Sequence, residues 1–295
     1  MTTTASPPAG WYADPGERAW LRYWDGARWT RWISERGEVR ESPITAEDAA
    51  RVWQLRLDLR AQWPGWVAAV ALVGAAIAFA MATGAVAAGD AVGLDGDVAE
   101  LGLGVLGLHS GLLGTCWLVH RRLGTGRGFF ADYGLIHRPG DWWRGLIGSF
   151  AARAGAIVLG LVALLWSEDF VGTDVEPYED EVHLTLVLVV LFGLVAVVLA
   201  PIVEELFFRG LLMRSLESVA PAWVALLVQA VLFGLAHVTV DLGAGNVSVV
   251  LAITAAGLGF GIVARTFERL APAMFAHAWF NVIPFVAIVV VYLTD

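Results

Sequence analysis

Seven residues stand out in apolar surroundings: Glu204, Glu205 and Arg209 in PIVEELFFRG, Phe233 and His237 in FGLAH, and His277 and Asn281 in HAWFN. Together they offer a carboxylate that can take a proton from water, imidazoles that can hold or activate that water, and an amide that can donate to a developing oxyanion. Those are the parts required for hydrolysis of an amide bond. Their setting makes the pattern informative, because an ionisable side chain at the centre of a membrane helix costs at least about 2.5–3.5 kcal/mol.

Helical spacing sorts the seven by face. Residues i and i+4 share a face and neighbours diverge by about 100°. Glu205 and Arg209 are therefore expected to form an ion pair, with the acid on the amino-terminal side, while Glu204 points elsewhere. Phe233 and His237 share one face of their helix, as do His277 and Asn281. Positions 204 and 237 are equidistant from a turn at Pro221, so in an antiparallel hairpin Glu204 and His237 are expected to face each other. Two outlying polar residues have simpler readings: His109 as a hydrogen-bonded packing residue, and Arg153 as a side chain that snorkels from a helix end. Spacing alone leaves three functions open: a hydrolytic centre, a polar lock between helices, or an ion path through the bilayer.

The elements that must carry these residues follow from composition. Of 295 residues, 58% are hydrophobic and 16% charged, with a mean hydropathy of +0.67; that excludes an ordinary soluble enzyme. The net charge is −9, with arginine as the sole strongly basic residue type, which argues against nucleic acid as a partner. The single cysteine, Cys116, permits neither an intrachain disulfide nor a CxxC metal site, and the MTTTASPPAG start is not a signal peptide. Apolar runs at 66–88, 101–119, 145–166, 184–217, 222–240, 247–264 and 271–293 predict an all-α polytopic membrane protein of about seven transmembrane helices. Arginines gather before 64, in 120–144, at 209–214 and at 265–269, whereas 89–100 and 167–183 are acidic and have none. This places the amino terminus in the cytoplasm, keeps 184–217 as one helix kinked at Pro201, and puts the carboxyl terminus outside.

Four segments are expected: a tryptophan-rich cytoplasmic module at 1–40, an amphipathic juxtamembrane helix and linker at 41–65 with its helix at 45–60, three accessory membrane helices at 66–166, and a core at 184–293. The module holds an aromatic β-hairpin around Asp25-Gly26, either self-packed or offering its rings to a protein partner. Its GWYADP opening, Gly10–Pro15, resembles a small tryptophan-rich domain of unknown function that precedes membrane segments in bacterial proteins.

The three motifs, in order and each on its own hydrophobic helix, resemble the EExxxR, FxxxH and HxxxN motifs of the CaaX-prenyl-endopeptidase and bacteriocin-processing family of intramembrane proteases. The YGLIHRP segment at Tyr133–Pro139 resembles the loop that precedes the family's core. The resemblance implies an endopeptidase acting on a membrane-embedded or membrane-anchored substrate. In it Glu204 activates water, His237 is its partner, His277 and Asn281 stabilise the oxyanion, and Glu205, Arg209 and Phe233 support them. Members are termed metalloproteases. No HExxH is present here, so the favoured reading needs no cofactor; the alternative is zinc on Glu204, His237 and His277. A non-proteolytic scaffold or bacteriocin self-immunity protein is the competing function.

Overall fold

The computed structural model describes residues 9–13, 21–35, 37–43, 63–94, 96–124, 128–163, 185–238 and 245–294. The chain divides into two compact units, with residues 1–62 and 125–127 in one and the rest in the other. The amphipathic helix expected at 45–60 and the acidic loop at 167–183 lie outside the described residues.

The first unit is a four-stranded antiparallel sheet in the order β1 (Gly10–Ala13), β2 (Leu21–Trp24), β3 (Trp29–Glu35), β4 (Glu38–Glu41). The expected hairpin is β2–β3. Its turn is closed by the Asp25 carboxylate, which accepts from the amides of Ala27 and Arg28 at 2.8 and 2.7 Å, and by Gly26, whose φ of +90° favours glycine. Two further strands of four residues extend the hairpin, too short to register as alternating patterns. Trp24, Ile33 and Arg22 are buried. The Arg22 guanidinium donates to the carbonyls of Thr30 and Ser42, each at 3.0 Å, so the charge helps tie the sheet together.

The second unit is helical: α1 (Trp66–Asp90), α2 (Asp97–Leu123), α3 (Asp141–Ala163), α4 (Leu186–Glu217), α5 (Ala222–Leu235), α6 (Asn246–Phe267) and α7 (Ala271–Thr294). Six are long and apolar enough to cross a membrane. The exception corrects the expected span at 222–240: α5 has 14 residues, about 21 Å of rise against an apolar thickness of about 30 Å. It stops because the His237 side chain takes over the Phe233 carbonyl at 2.8 Å while the His237 amide turns back to Gly234. His237 therefore lies in a turn rather than on a helix.

Helix α4 is continuous, as the arginine distribution requires, but not uniform. Wide π turns occupy Leu194–Leu199 and Glu205–Met213, with one α turn, Ala200–Glu204, between them. Pro201 accounts for the first: it has no amide proton and its ring crowds the preceding turn, so the ladder ahead of it opens to i→i+5 bonding, with the Ala200 amide on the Val195 carbonyl. The second carries Glu205 and Arg209.

Helices pack through small residues, as membrane bundles do. A side chain at Gly111 of α2 would collide with the Ala78 backbone of α1, and one at Gly145 of α3 with Phe275 and Ala276 of α7. The arginine-bearing loops gather at one end: Gly65 lies against Val219, the Leu270 amide donates to the Gly134 carbonyl at 2.8 Å, and Arg265 pairs with Glu217. At the same end Trp63 donates from Nε1 to the Gly210 carbonyl at 2.9 Å, and the Tyr133 hydroxyl donates to the Cys116 carbonyl at 2.6 Å. The YGLIHRP loop thus joins the accessory helices to the core.

Candidate functional site

The polar residues of α4 and α7 meet, beside a main-chain carbonyl of α6, inside an aromatic shell. Arg209, fully buried, donates from Nη1 to Glu205 Oε1 at 2.8 Å and from Nη2 to the Gly257 carbonyl at 3.1 Å. Its guanidinium carbon stands 4.4 Å from the centre of the Phe233 ring and 5.4 Å from that of Phe260. Low polarity strengthens both the ion pair and the cation–π contacts. The expected Glu205–Arg209 pair is therefore present.

Glu205 Oε1 also lies 3.2 Å from His277 Nδ1. A carboxylate can only accept there, so Nδ1 carries a proton, and in the neutral imidazole the lone pair is then on Nε2. That lone pair faces Glu204, with Oε2 at 3.8 Å. The imidazole is fixed on its faces too, stacked on Phe260 at 4.7 Å and 17° and edge-on to Phe233 at 5.6 Å.

Glu204 meets an imidazole of α7. No hydrogen bond or ion pair joins it to His237 among the described residues; its nearest imidazole is that of His277. The cause lies in the wide turn. A π segment holds more residues per turn and rises less per residue than α, so Glu205–Met213 narrows the angle between adjacent side chains and shortens the path from Glu204 to the hairpin turn. Both glutamates then reach the same imidazole. Glu204 Oε2 is buried and has no hydrogen-bond partner among the described residues.

His237, half-buried, meets Phe233 as well, their rings 4.9 Å apart. Its Nδ1 is committed to the Phe233 carbonyl, which leaves Nε2 as the basic nitrogen. Asn281 sits one turn beyond His277 and donates from Nδ2 to the Ala196 carbonyl at 2.7 Å. In the π pattern of that segment, the donor for Ala196 would be residue 201, which is proline. The amide therefore replaces a missing main-chain bond and keeps one N–H in reserve.

The zinc alternative fits poorly. Among the described residues no three His, Cys, Asp or Glu side chains are arranged to hold a metal ion. His277 lies within 3.2 Å of Glu205 and 3.8 Å of Glu204, and no bond among the described residues joins it to His237.

Spacing missed Gln229, whose amide joins Arg209 on the Gly257 carbonyl at 3.1 Å; a lone amide within AWVALLVQAVLFGL was its signal. It also misplaced Arg153. That residue is 12 positions into α3, about 18 Å from the helix start, and donates to the Phe280 carbonyl rather than snorkelling. His109, as expected, hydrogen-bonds within its own helix, to the Val105 carbonyl at 2.9 Å.

Comparison with known families gives two matches. Residues 186–283, which contain all seven motif residues, match the family described as type II CAAX prenyl endopeptidase Rce1-like. Residues 9–40 match a family of unknown function, DUF2510. No curated protein and no solved structure matches the chain.

Proposed function

We propose that the chain is a multi-pass membrane endopeptidase that hydrolyses a membrane-associated peptide or protein with a water molecule activated by Glu204. The observation that carries this reading is the 3.8 Å separation of Glu204 Oε2 and His277 Nε2. Two acceptors so placed are too far apart to bond directly but can each receive one hydrogen of a single water, whose oxygen lone pair is then free to attack. Glu205 supports this by orienting the His277 ring, and Arg209 holds Glu205 in place.

In the reaction the water gives one proton to Glu204 as its oxygen bonds to the scissile carbonyl carbon. The oxyanion is held by the second N–H of Asn281, and collapse of the adduct breaks the C–N bond. The leaving nitrogen takes the proton from Glu204. Each step draws on residues present, and none needs a metal. Preorganised donors in a dry site are the largest contribution that such an arrangement can make.

The test is cleavage of a library of membrane-anchored peptides by the full-length chain in liposomes, with and without chelator. The expected result is cleavage that survives chelation and disappears in Glu204→Gln; absence of cleavage across the library, or loss on chelation, contradicts the proposal. The second reading, a non-proteolytic scaffold or immunity factor, draws on the fact that Arg209, Gln229 and Asn281 all bond backbone carbonyls of other helices. An unchanged biological effect of Glu204→Gln is what it requires.

A further inference from the structure

Pro284 lies inside α7. Having no amide proton, it cannot donate to the carbonyl four residues earlier, that of Phe280. Phe280 lies between His277 and Asn281 in the helix, so this stranded carbonyl lies beside the residues of the site. Arg153 of α3 supplies the donor, from Nη2. Its guanidinium carbon also stands 4.2 Å from the centre of the Phe280 ring. That ring meets Phe260 edge-on at 5.6 Å, and Phe260 is stacked on the His277 imidazole. A chain of direct contacts thus runs from Arg153 through Phe280 and Phe260 to the ring that faces Glu204.

We infer that Arg153 is a positioning residue: it completes the hydrogen bonding that Pro284 breaks, and thereby sets the rotation of α7 and the plane of His277 against Glu204. The inference deepens the proposed function and rests on it for its kinetic readout. Side-chain donors to the orphan carbonyl ahead of a proline are a recognised way to keep a broken membrane helix satisfied. Arg153 has two features beyond that: it comes from an accessory helix outside the matched segment, and it grips the same residue by carbonyl and by ring.

The experiment compares full-length wild type, Arg153→Met, Pro284→Ala and the double variant in liposomes. Alanine at 284 restores the main-chain donor to Phe280, so it should compensate for loss of the guanidinium. Arg153→Met should lower kcat by about tenfold or more while KM stays within about twofold, and Pro284→Ala in the same chain should recover much of the loss. Arg153→Lys, which keeps a charged donor, should lie between. A double variant no faster than Arg153→Met overturns the inference, as does a loss confined to KM. Should wild type cleave nothing, the proposed function fails, and the positioning contact is read instead from thermal unfolding. Pro284→Ala must then raise the midpoint more in the Arg153→Met background than in wild type, and an equal shift in both overturns the inference.

Discussion

At the scale of single residues, charge balance inside the core depends on Glu205. Arg209 is fully buried, and its bonded carboxylate among the described residues is Glu205 at 2.8 Å, which also orients His277. Removing one partner of a buried pair leaves the other charge without compensation, a loss of about 3–5 kcal/mol. Glu205→Gln is accordingly expected to destabilise the helical unit by that amount in a denaturant titration; a change below about 1 kcal/mol, the range of exposed pairs, would contradict the burial argument. This pair was legible in the sequence because i,i+4 neighbours remain adjacent even in a widened turn. The partner of Glu204 was not legible. Its position depends on how many residues per turn the segment holds, and no residue type within ELFFRGLLM announces i→i+5 bonding. Asn281 was identified from its spacing to His277, but its bond to Ala196 follows from Pro201 on another helix, which periodicity along one chain segment cannot reveal.

At the scale of elements, the loop from Tyr133 to Pro139 and the start of α1 clamp the end of α4. Tyr133 is completely buried, with its hydroxyl on the Cys116 carbonyl, and Trp63 holds Gly210 within the second π segment. Burial raises the Tyr133 phenol far above its ordinary value of 10.0. The sign follows from linkage: the folded chain keeps Tyr133 neutral, so its contribution is intact below the unfolded value and is lost as pH rises beyond it. Unfolding free energy is expected to decline above about pH 10 in wild type. Tyr133→Phe should be less stable by about 1 kcal/mol at neutral pH, from the lost hydrogen bond, and flatter at alkaline pH. Parallel alkaline limbs would contradict this. The apolar runs disclosed every long helix, since span length and composition are set by the bilayer. They overestimated α5, because its end is determined by the His237 imidazole bonding back to Phe233, and apolar composition continues past that point.

At the scale of the whole molecule, arginine distribution and geometry agree on which loops share a side, as the contacts Gly65–Val219, Gly134–Leu270 and Glu217–Arg265 require. The proposed orientation sets that side in the cytoplasm. Single cysteines at the exposed positions Val92, Val219 and Leu293 test it, with the native Cys116 fully buried. Membrane-impermeant labelling of intact cells is expected at Val92→Cys and Leu293→Cys and not at Val219→Cys. Labelling of Leu293→Cys from the same side as Val219→Cys would mean that the short α5 does not return the chain across the bilayer.

The most direct measurement of the central claim is a single-turnover cleavage in water enriched in oxygen-18, with wild type and Glu204→Gln in the same liposomes. The account predicts one heavy oxygen in the new carboxylate of the wild-type product. It further predicts a fall in rate of at least about a hundredfold in Glu204→Gln, the lower range for loss of a general base, with an unaltered unfolding transition. A folded Glu204→Gln protein that cleaves within tenfold of the wild-type rate would contradict the account.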